Sequence, residues 1–338
     1  MRIFRIKVNF YAVQKLTLVF LCLVCLLPLE AQNYLGRCTS YLPYNKAFDL
    51  AITGDRIYCA TRGGIFSFNT EDNSVEKLSR ENGLSDTEVS SLSYSEHSGI
   101  LLISYSNANI DLIENNTIIN IPDIKRAQIL GDKRINDCHF IDDLAYLSCG
   151  FGIVVLDLTR KEIKETYYIG QDGSQIRVND MTSYNGFLYA ATENGLYYAD
   201  LGNSNLIDFN NWTRDETVPG PDREIHTITS NGQSVFISQK DPGNQLETVS
   251  WLQDQTWMNY PYFDKERVVR DLESNGEDLI VVSNWEVDVY GPGGQKLFVN
   301  TGRPVMANLS DEGTVWIADE ERGLVRYNPP AEPVDILP

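Results

Sequence analysis

The sequence predicts an all-β fold, a seven-bladed β-propeller of four-stranded blades. A two-strand phrase recurs along the chain, successive copies are 37 to 46 residues apart, and no stretch beyond residue 31 carries a helical period. The phrase is clearest at Gly54-Asp55-Arg56-Ile57-Tyr58-Cys59-Ala60-Thr61, followed by Gly64-Ile65-Phe66-Ser67-Phe68. It returns at Asn185-Gly186-Phe187-Leu188-Tyr189-Ala190-Ala191-Thr192 with Gly195-Leu196-Tyr197-Tyr198, and at Gly313-Thr314-Val315-Trp316-Ile317-Ala318 with Gly323-Leu324-Val325. Weaker copies start at Gly99, Asp143, Gly232 and Gly276. Seven units of this length match propeller blades, whereas leucine-rich solenoids have shorter repeats and tetratricopeptide arrays are helical. Inside each unit, short Tyr, Ile, Val, Leu and Phe runs are broken by Gly, Asn and Asp turns, the pattern of strands.

Taken from the N-terminus, residues 1–31 read as a signal peptide. Arg2, Arg5, Lys7 and Lys15 precede the apolar run from Leu16 to Leu27, and the small Ala31 stands before Gln32. That run, broken by Pro28 and Glu30, is shorter than the roughly 20 residues that span a bilayer. No later segment is long enough either, so the expectation is an exported chain, in the periplasm or at the outer cell surface. Residues 32–328 form the propeller. Thr39-Ser40-Tyr41-Leu42-Pro43-Tyr44 parallels Trp257-Met258-Asn259-Tyr260-Pro261-Tyr262, an outer strand that runs into the next blade. By that parallel, residues 37–44 should form the outer strand of the last blade and close the ring. Residues 329–338 then read as a linker toward a downstream domain absent from this chain.

Composition narrows the partners. The formal charge is −19, and about −22 once the leader removes four cations and Glu30. Such acidity disfavours nucleic acid and anionic membrane surfaces. Cys38, Cys59, Cys138 and Cys149 remain after the leader, too few for a disulfide framework. Cys138 and Cys149, on neighbouring strands of one repeat, are the pair to expect if one forms; buried free thiols are the other reading. His97, His139 and His226 fall in different repeats, without metal spacing or a nucleophile motif. Gly63-Gly64 and Gly293-Gly294 are hairpin turns rather than phosphate loops, and Asp142-Asp143 and Glu320-Glu321 are turn residues on an acidic surface. The chain is therefore expected to bind rather than to catalyse, with no cofactor and no metal.

Two sets of residues are candidates for function. Asp49, Ser91, Asp137, Asp180, Thr227, Asp271 and Asn308 recur at the start of each innermost strand and should ring the central channel. Their oxygens either line a cation or polar-ligand site or bond the backbone of the neighbouring blade, and the second role is preferred. Arg62, Asn107, Phe151, Glu193, Trp285 and Arg322 occupy loops between second and third strands, where a rigid propeller presents its recognition surface. Trp285 and Phe151 are unusual tip residues that either recognise a partner or fold back as packing.

Four segments resemble the N-terminal propeller of the PorZ family: Tyr41-Leu42-Pro43-Tyr44, the phrase from Ile57 to Phe66, Glu81-Asn82-Gly83-Leu84-Ser85-Asp86, and the stretch from Gly150 to Leu158. The likeness runs from about Tyr41 to Tyr327. It implies a component of the type IX secretion system of Bacteroidetes, in an attachment complex with a sortase-like peptidase and outer-membrane partners that transfers cargo onto lipopolysaccharide. It further implies a member that is not itself the peptidase, from a family linked to binding that anionic glycan. PorZ proteins carry a second propeller and a sorting domain, whereas this chain stops at Pro338, and no family binding residue carries over. On so acidic a chain an anionic glycan needs a local basic patch, with Arg62 and Arg322 as candidates, or a bridging cation. Two other readings are the periplasmic sensor propeller of a hybrid two-component regulator, which needs a membrane helix and kinase downstream, and a propeller lyase or glycosidase, which the scarcity of histidine weakens.

Overall fold

The computed structural model describes residues 44–243, 246–263 and 267–338. The expected signal peptide, Cys38 and residues 37–43 of the expected closing strand lie outside the described residues. Within them, twenty-eight strands form seven four-stranded antiparallel sheets, one per repeat. The first blade runs Ala47–Thr53, Arg56–Thr61, Gly64–Asn69 and Val75–Leu78 in spatial order. The recurring phrase is the hairpin between first and second strands: Gly54, Gly99, Gly186, Gly232, Gly276 and Gly313 all have positive φ, and Asp142 (φ 51°) supplies it in the third blade. The next turn explains the Ala-Thr-x-x-Gly spacing. Thr61 Oγ1 donates to the Gly64 carbonyl at 2.8 Å and accepts from the Gly63 N–H, and Thr192 does the same with Gly195 and Asn194.

Middle strands are buried on both faces because each blade is covered by two others. Every residue of Ile100–Tyr105 is buried. The cores lie between successive blades, as where Tyr146, Ile153 and Val155 of the third blade meet Val178, Met181 and Leu188 of the fourth. The innermost strands are neighbours in a closed cycle, with Pro304–Leu309 of the last blade against Ala47–Thr53 of the first. Leu50, Phe66 and Phe68 share one core with Trp316, Ala318 and Leu324. Blade packing closes this ring.

The outer strand of the last blade is Val334–Ile336, paired antiparallel with Gly323–Tyr327. It stands where residues 37–44 were expected, and it makes the segment 329–338 part of the blade rather than a linker. A local hairpin orders less chain than recruitment of the far terminus. The Ala331 N–H turns the chain back onto the Asn328 carbonyl at 3.0 Å, and Arg322 holds Asp335 at 2.7 Å. Tyr44 packs into the core shared by the first and last blades, its ring edge-on to Phe66 at 6.2 Å. Cys59, Cys138 and Cys149 are buried free thiols. Cys138 stands opposite Leu147 and Cys149 opposite Ile135, so the expected pair is not in register for a cross-strand bridge. Among the described residues, no helix is long and apolar enough to cross a membrane.

Candidate binding face and channel

In every blade the innermost strand slips by one residue against the second strand. Ala47 pairs with Thr61 and Asp49 with Ala60, leaving Phe48 extra. Ser90, Asn136, Asn179, His226, Arg270 and Val305 are the extra residues of the other blades. A bulge re-aims the side chain that follows. The residues so turned are Asp49, Ser91, Asp137, Asp180, Thr227 and Asp271, all lining one channel of about 1340 Å³, and the equivalent in the last blade is Met306. Asn308 therefore belongs one layer deeper, opposite Trp316, at the level of Glu273. The first hairpin of the last blade is longer, since Leu309 pairs with Val315 where Thr53 pairs with Arg56. Counting back from Gly313 consequently lands two residues late.

Three ring side chains clamp the next blade. Asp49 accepts the N–H groups of Leu50 (2.8 Å) and Leu92 (2.7 Å). Asp180 accepts from Met181 (2.6 Å), from Ile228 (2.8 Å) and from the Thr227 hydroxyl (2.9 Å). Thr227 in turn accepts the Leu272 N–H at 3.2 Å. Bulge residues add to this: Asn136 donates to the Val178 carbonyl at 2.7 Å and Asn179 to that of Ile225 at 2.8 Å. Burial, opposed in part by backbone N–H bonds and reinforced by neighbouring carboxylates, holds Asp49 and Asp180 well above the usual range. Burial and the surrounding aspartates do the same to Glu273, and burial with the Asp137 charge pushes Asp271 up to about 7. Asp137 is raised by burial. His139 is held neutral, burial lowering it to about 4, and shares a 2.9 Å hydrogen bond with Ser183. His97 lies beside Asp143 and His226 beside Glu224, so the three histidines form no common site.

The channel mouth, where the innermost strands begin, is a separate cavity of about 830 Å³ lined by Lys46, Arg62, Arg134 and Arg303 together with Glu320 and Glu321. All four cations are exposed. Arg303 and Arg270 both reach Glu320 at 3.4 Å. Among the described residues, Lys46, Arg62 and Arg134 have no carboxylate within ion-pair distance. Lys46, Arg134, Arg177 and Arg303 each stand three residues before the channel residue of their blade, a recurrence the sequence displays but chemistry alone does not flag. Arg177 is spoken for by Glu224 at 2.7 Å.

The predicted loop residues divide. Arg62 lines the mouth. Trp285 is 61% exposed, and its carbonyl accepts the N–H of Thr301, two residues before Arg303. Asn107 is exposed and donates to Asp86 at 2.5 Å, while Glu193 accepts the Arg177 N–H at 3.0 Å. Phe151 is no tip residue: it is 1% exposed and packs into the core of the second and third blades beside Tyr168. Its turn can fold that tightly because Gly152 (φ 148°) brings the Tyr167 carbonyl to 2.3 Å from where a Cβ would stand. Arg322 leaves the basic patch, since its guanidinium is engaged by Asp335 and the Pro333 carbonyl.

No curated protein matches this sequence. Residues 57–213 match the family model of the TSS9 PorZ N-terminal beta-propeller domain. Over that span, just under half of the chain, the sequence is similar to a PorZ-type N-terminal propeller. Arg62, Arg134 and the channel residues Ser91, Asp137 and Asp180 fall inside the matched span, whereas Lys46, Trp285 and Arg303 fall outside it. Among solved structures, PorZ of the human oral bacterium Porphyromonas gingivalis, an essential surface component of its type-IX secretion system, aligns with a TM-score of 0.74 at 23% identity. That alignment covers 88% of this chain and 39% of that PorZ, so the chain spans well under half of the larger protein. The computationally designed Ika8 protein aligns over 85% of both chains, with a TM-score of 0.57 and 12% identity. Both likenesses show the propeller fold.

Proposed function

We propose that this PorZ-like propeller is a non-catalytic binding module of type IX secretion, exported to the cell surface, where it holds an anionic glycan of the lipopolysaccharide class at the channel mouth. The observation that supports this is the mouth itself. On a chain of net charge −19, Lys46, Arg62 and Arg134 converge on one open cavity with no carboxylate within ion-pair distance among the described residues, and Arg303, paired with Glu320, joins them. Cations left unpaired on an acidic protein repel one another, and a polyanion relieves that repulsion while meeting guanidinium donors suited to phosphate and carboxylate. Trp285, tethered to the segment that carries Arg303, offers an exposed aromatic face beside the patch, as sugar rings require. Protein partners of an attachment complex would dock on the same loop face.

Purified lipopolysaccharide, immobilised and challenged with the soluble propeller, tests the reading. Binding should weaken with added salt, and Arg62→Glu with Arg134→Glu should reduce it at least tenfold while the far-UV spectrum stays unchanged. Trp285→Ala should reduce it less. Retention of full binding by the double charge reversal, or peptide or glycoside hydrolysis by the isolated protein, would overturn the proposal.

A further inference from the structure

The channel interior is chemically opposite to its mouth. Asp49, Asp137, Asp180, Asp271 and Glu273 all line it, and the charged groups acting on the raised carboxyls are other carboxyls. The basic and imidazole groups along the walls are otherwise engaged. Arg270 is held by Asn284 and Glu320, Arg326 lies over the Phe68 ring, His139 is hydrogen-bonded to Ser183, and His226 sits beside Glu224. The clamps described above use both oxygens of Asp49 and of Asp180, but they leave acceptors over. Glu273 receives no hydrogen bond among the described residues, and Asp271 engages one oxygen, with Leu272 and Thr227. A second kind of observation points the same way. Ser91, 5% exposed and set in the ring between the blades of Asp49 and Asp137, has a hydroxyl with no partner among the described residues, although buried hydroxyls are normally satisfied.

We propose that the channel is a binding site for a cation that carries its own hydrogen-bond donors, either a hydrated divalent ion or a primary ammonium group, held by Asp271, Glu273 and the Ser91 hydroxyl. A bare chelated metal does not fit the spacing, since no three carboxylates, thiols or imidazoles among the described residues come close enough to share one ion. A donor-bearing cation needs no such convergence, because its water or N–H protons reach acceptors spread around a channel. Uptake at neutral pH and above releases the protons that the crowded carboxyls otherwise retain, and those protons pass to solvent. This inference does not depend on the ligand of the mouth.

Thermal unfolding of the whole chain at pH 8 provides the test, in magnesium chloride, methylammonium chloride or tetramethylammonium chloride at matched ionic strength. Magnesium, methylammonium or both should raise Tm by several degrees, while tetramethylammonium, which has no donor, should not. Which of the first two acts identifies the kind of cation. The shift should shrink at pH 5 and fall by at least half in Glu273→Gln and in Ser91→Ala. In weakly buffered wild-type protein, addition of the active cation should release protons, a readout that needs no variant to fold. Equal shifts in all three salts, no proton release, or a full shift in both variants would each overturn the assignment.

Discussion

Asp319 is fully buried, yet its carboxyl is held below the ordinary range. Burial pushes it up, but five donors outweigh that: the Thr301 hydroxyl and the N–H groups of Gly302, Arg303, Glu321 and Arg322. It occupies the position that Thr61 and Thr192 fill in their blades, and it fixes the loop that carries Arg303 to the mouth. Asp319→Asn keeps the shape but exchanges two acceptor oxygens for one, so unfolding in urea should show a loss of about 2–3 kcal/mol; a loss near zero would show that the loop is fixed otherwise. A carboxyl lowered by folding stabilises above its unfolded value and loses that contribution as pH falls. The channel carboxyls have the opposite sign. Asp49, Asp137, Asp180, Asp271 and Glu273 are raised, so the folded state keeps protons that the unfolded chain has lost, and stability drains away as pH rises from about 4 through 7 and beyond. In metal-free buffer containing only a bulky quaternary cation, Tm should be higher near pH 5 than at pH 8. Asp271→Asn should flatten that slope, and a Tm independent of pH over this interval would contradict the raised values.

At the scale of the element, hairpins were legible in the sequence and bulges were not. The hairpins announce themselves through residues that positive φ selects, which is why the spacing of the phrase located all seven blades. A bulge is set by how two strands register, and residues as unlike as Phe48, Asn136 and Arg270 occupy it. All seven expected residues line the channel, six of them at the position after the bulge, where a polar residue repeats; Asn308 lines it one layer deeper, where the hairpin lengthened. The mouth was half legible. Arg62 was visible as a loop tip, but Lys46, Arg134 and Arg303 sit on strand entries, Phe151 folds into the core beside Tyr168, and Arg322 is drawn to Asp335 of the outer strand, contacts that pattern cannot show. Two element-scale outcomes follow from the geometry. Gly195→Ala should destabilise by more than about 2 kcal/mol, since φ is 105° there and the Pro221 carbonyl lies 2.1 Å from the would-be Cβ. Deleting residues 333–338 should cost about 1–2 kcal/mol, because the outer strand is short and Val334 and Leu337 are half exposed. Chemical denaturation measures both, and an unchanged midpoint in the truncated chain would return the closing role to the N-terminal segment.

For the molecule as a whole, the arrangement of cores decides how it must unfold. Hydrophobic clusters lie between blades, so no blade buries its own faces, and a blade removed strips the cover from two others. At the closure, Trp316, Ala318 and Leu324 cover the face of the first blade formed by Leu50, Phe66 and Phe68. On the other side, Ala307, Val315, Ile317 and Val325 cover Ile280, Val282, Val287 and Val289 of the sixth blade. An open solenoid tolerates loss of its last repeat, since only one interface goes and the new end resembles the old. A ring does not, because both uncovered faces are apolar and the remaining inner strands are held at an angle set for seven. The full chain should therefore lose near- and far-ultraviolet dichroism in one coincident thermal transition. A chain ending at residue 303, which lacks the whole seventh blade, should bind a hydrophobic dye strongly, lose its near-ultraviolet signal and associate in solution. Recovery of a monomeric, cooperatively unfolding six-bladed protein from that deletion would show that blades stand as independent units, and the account of closure by shared cores would fail.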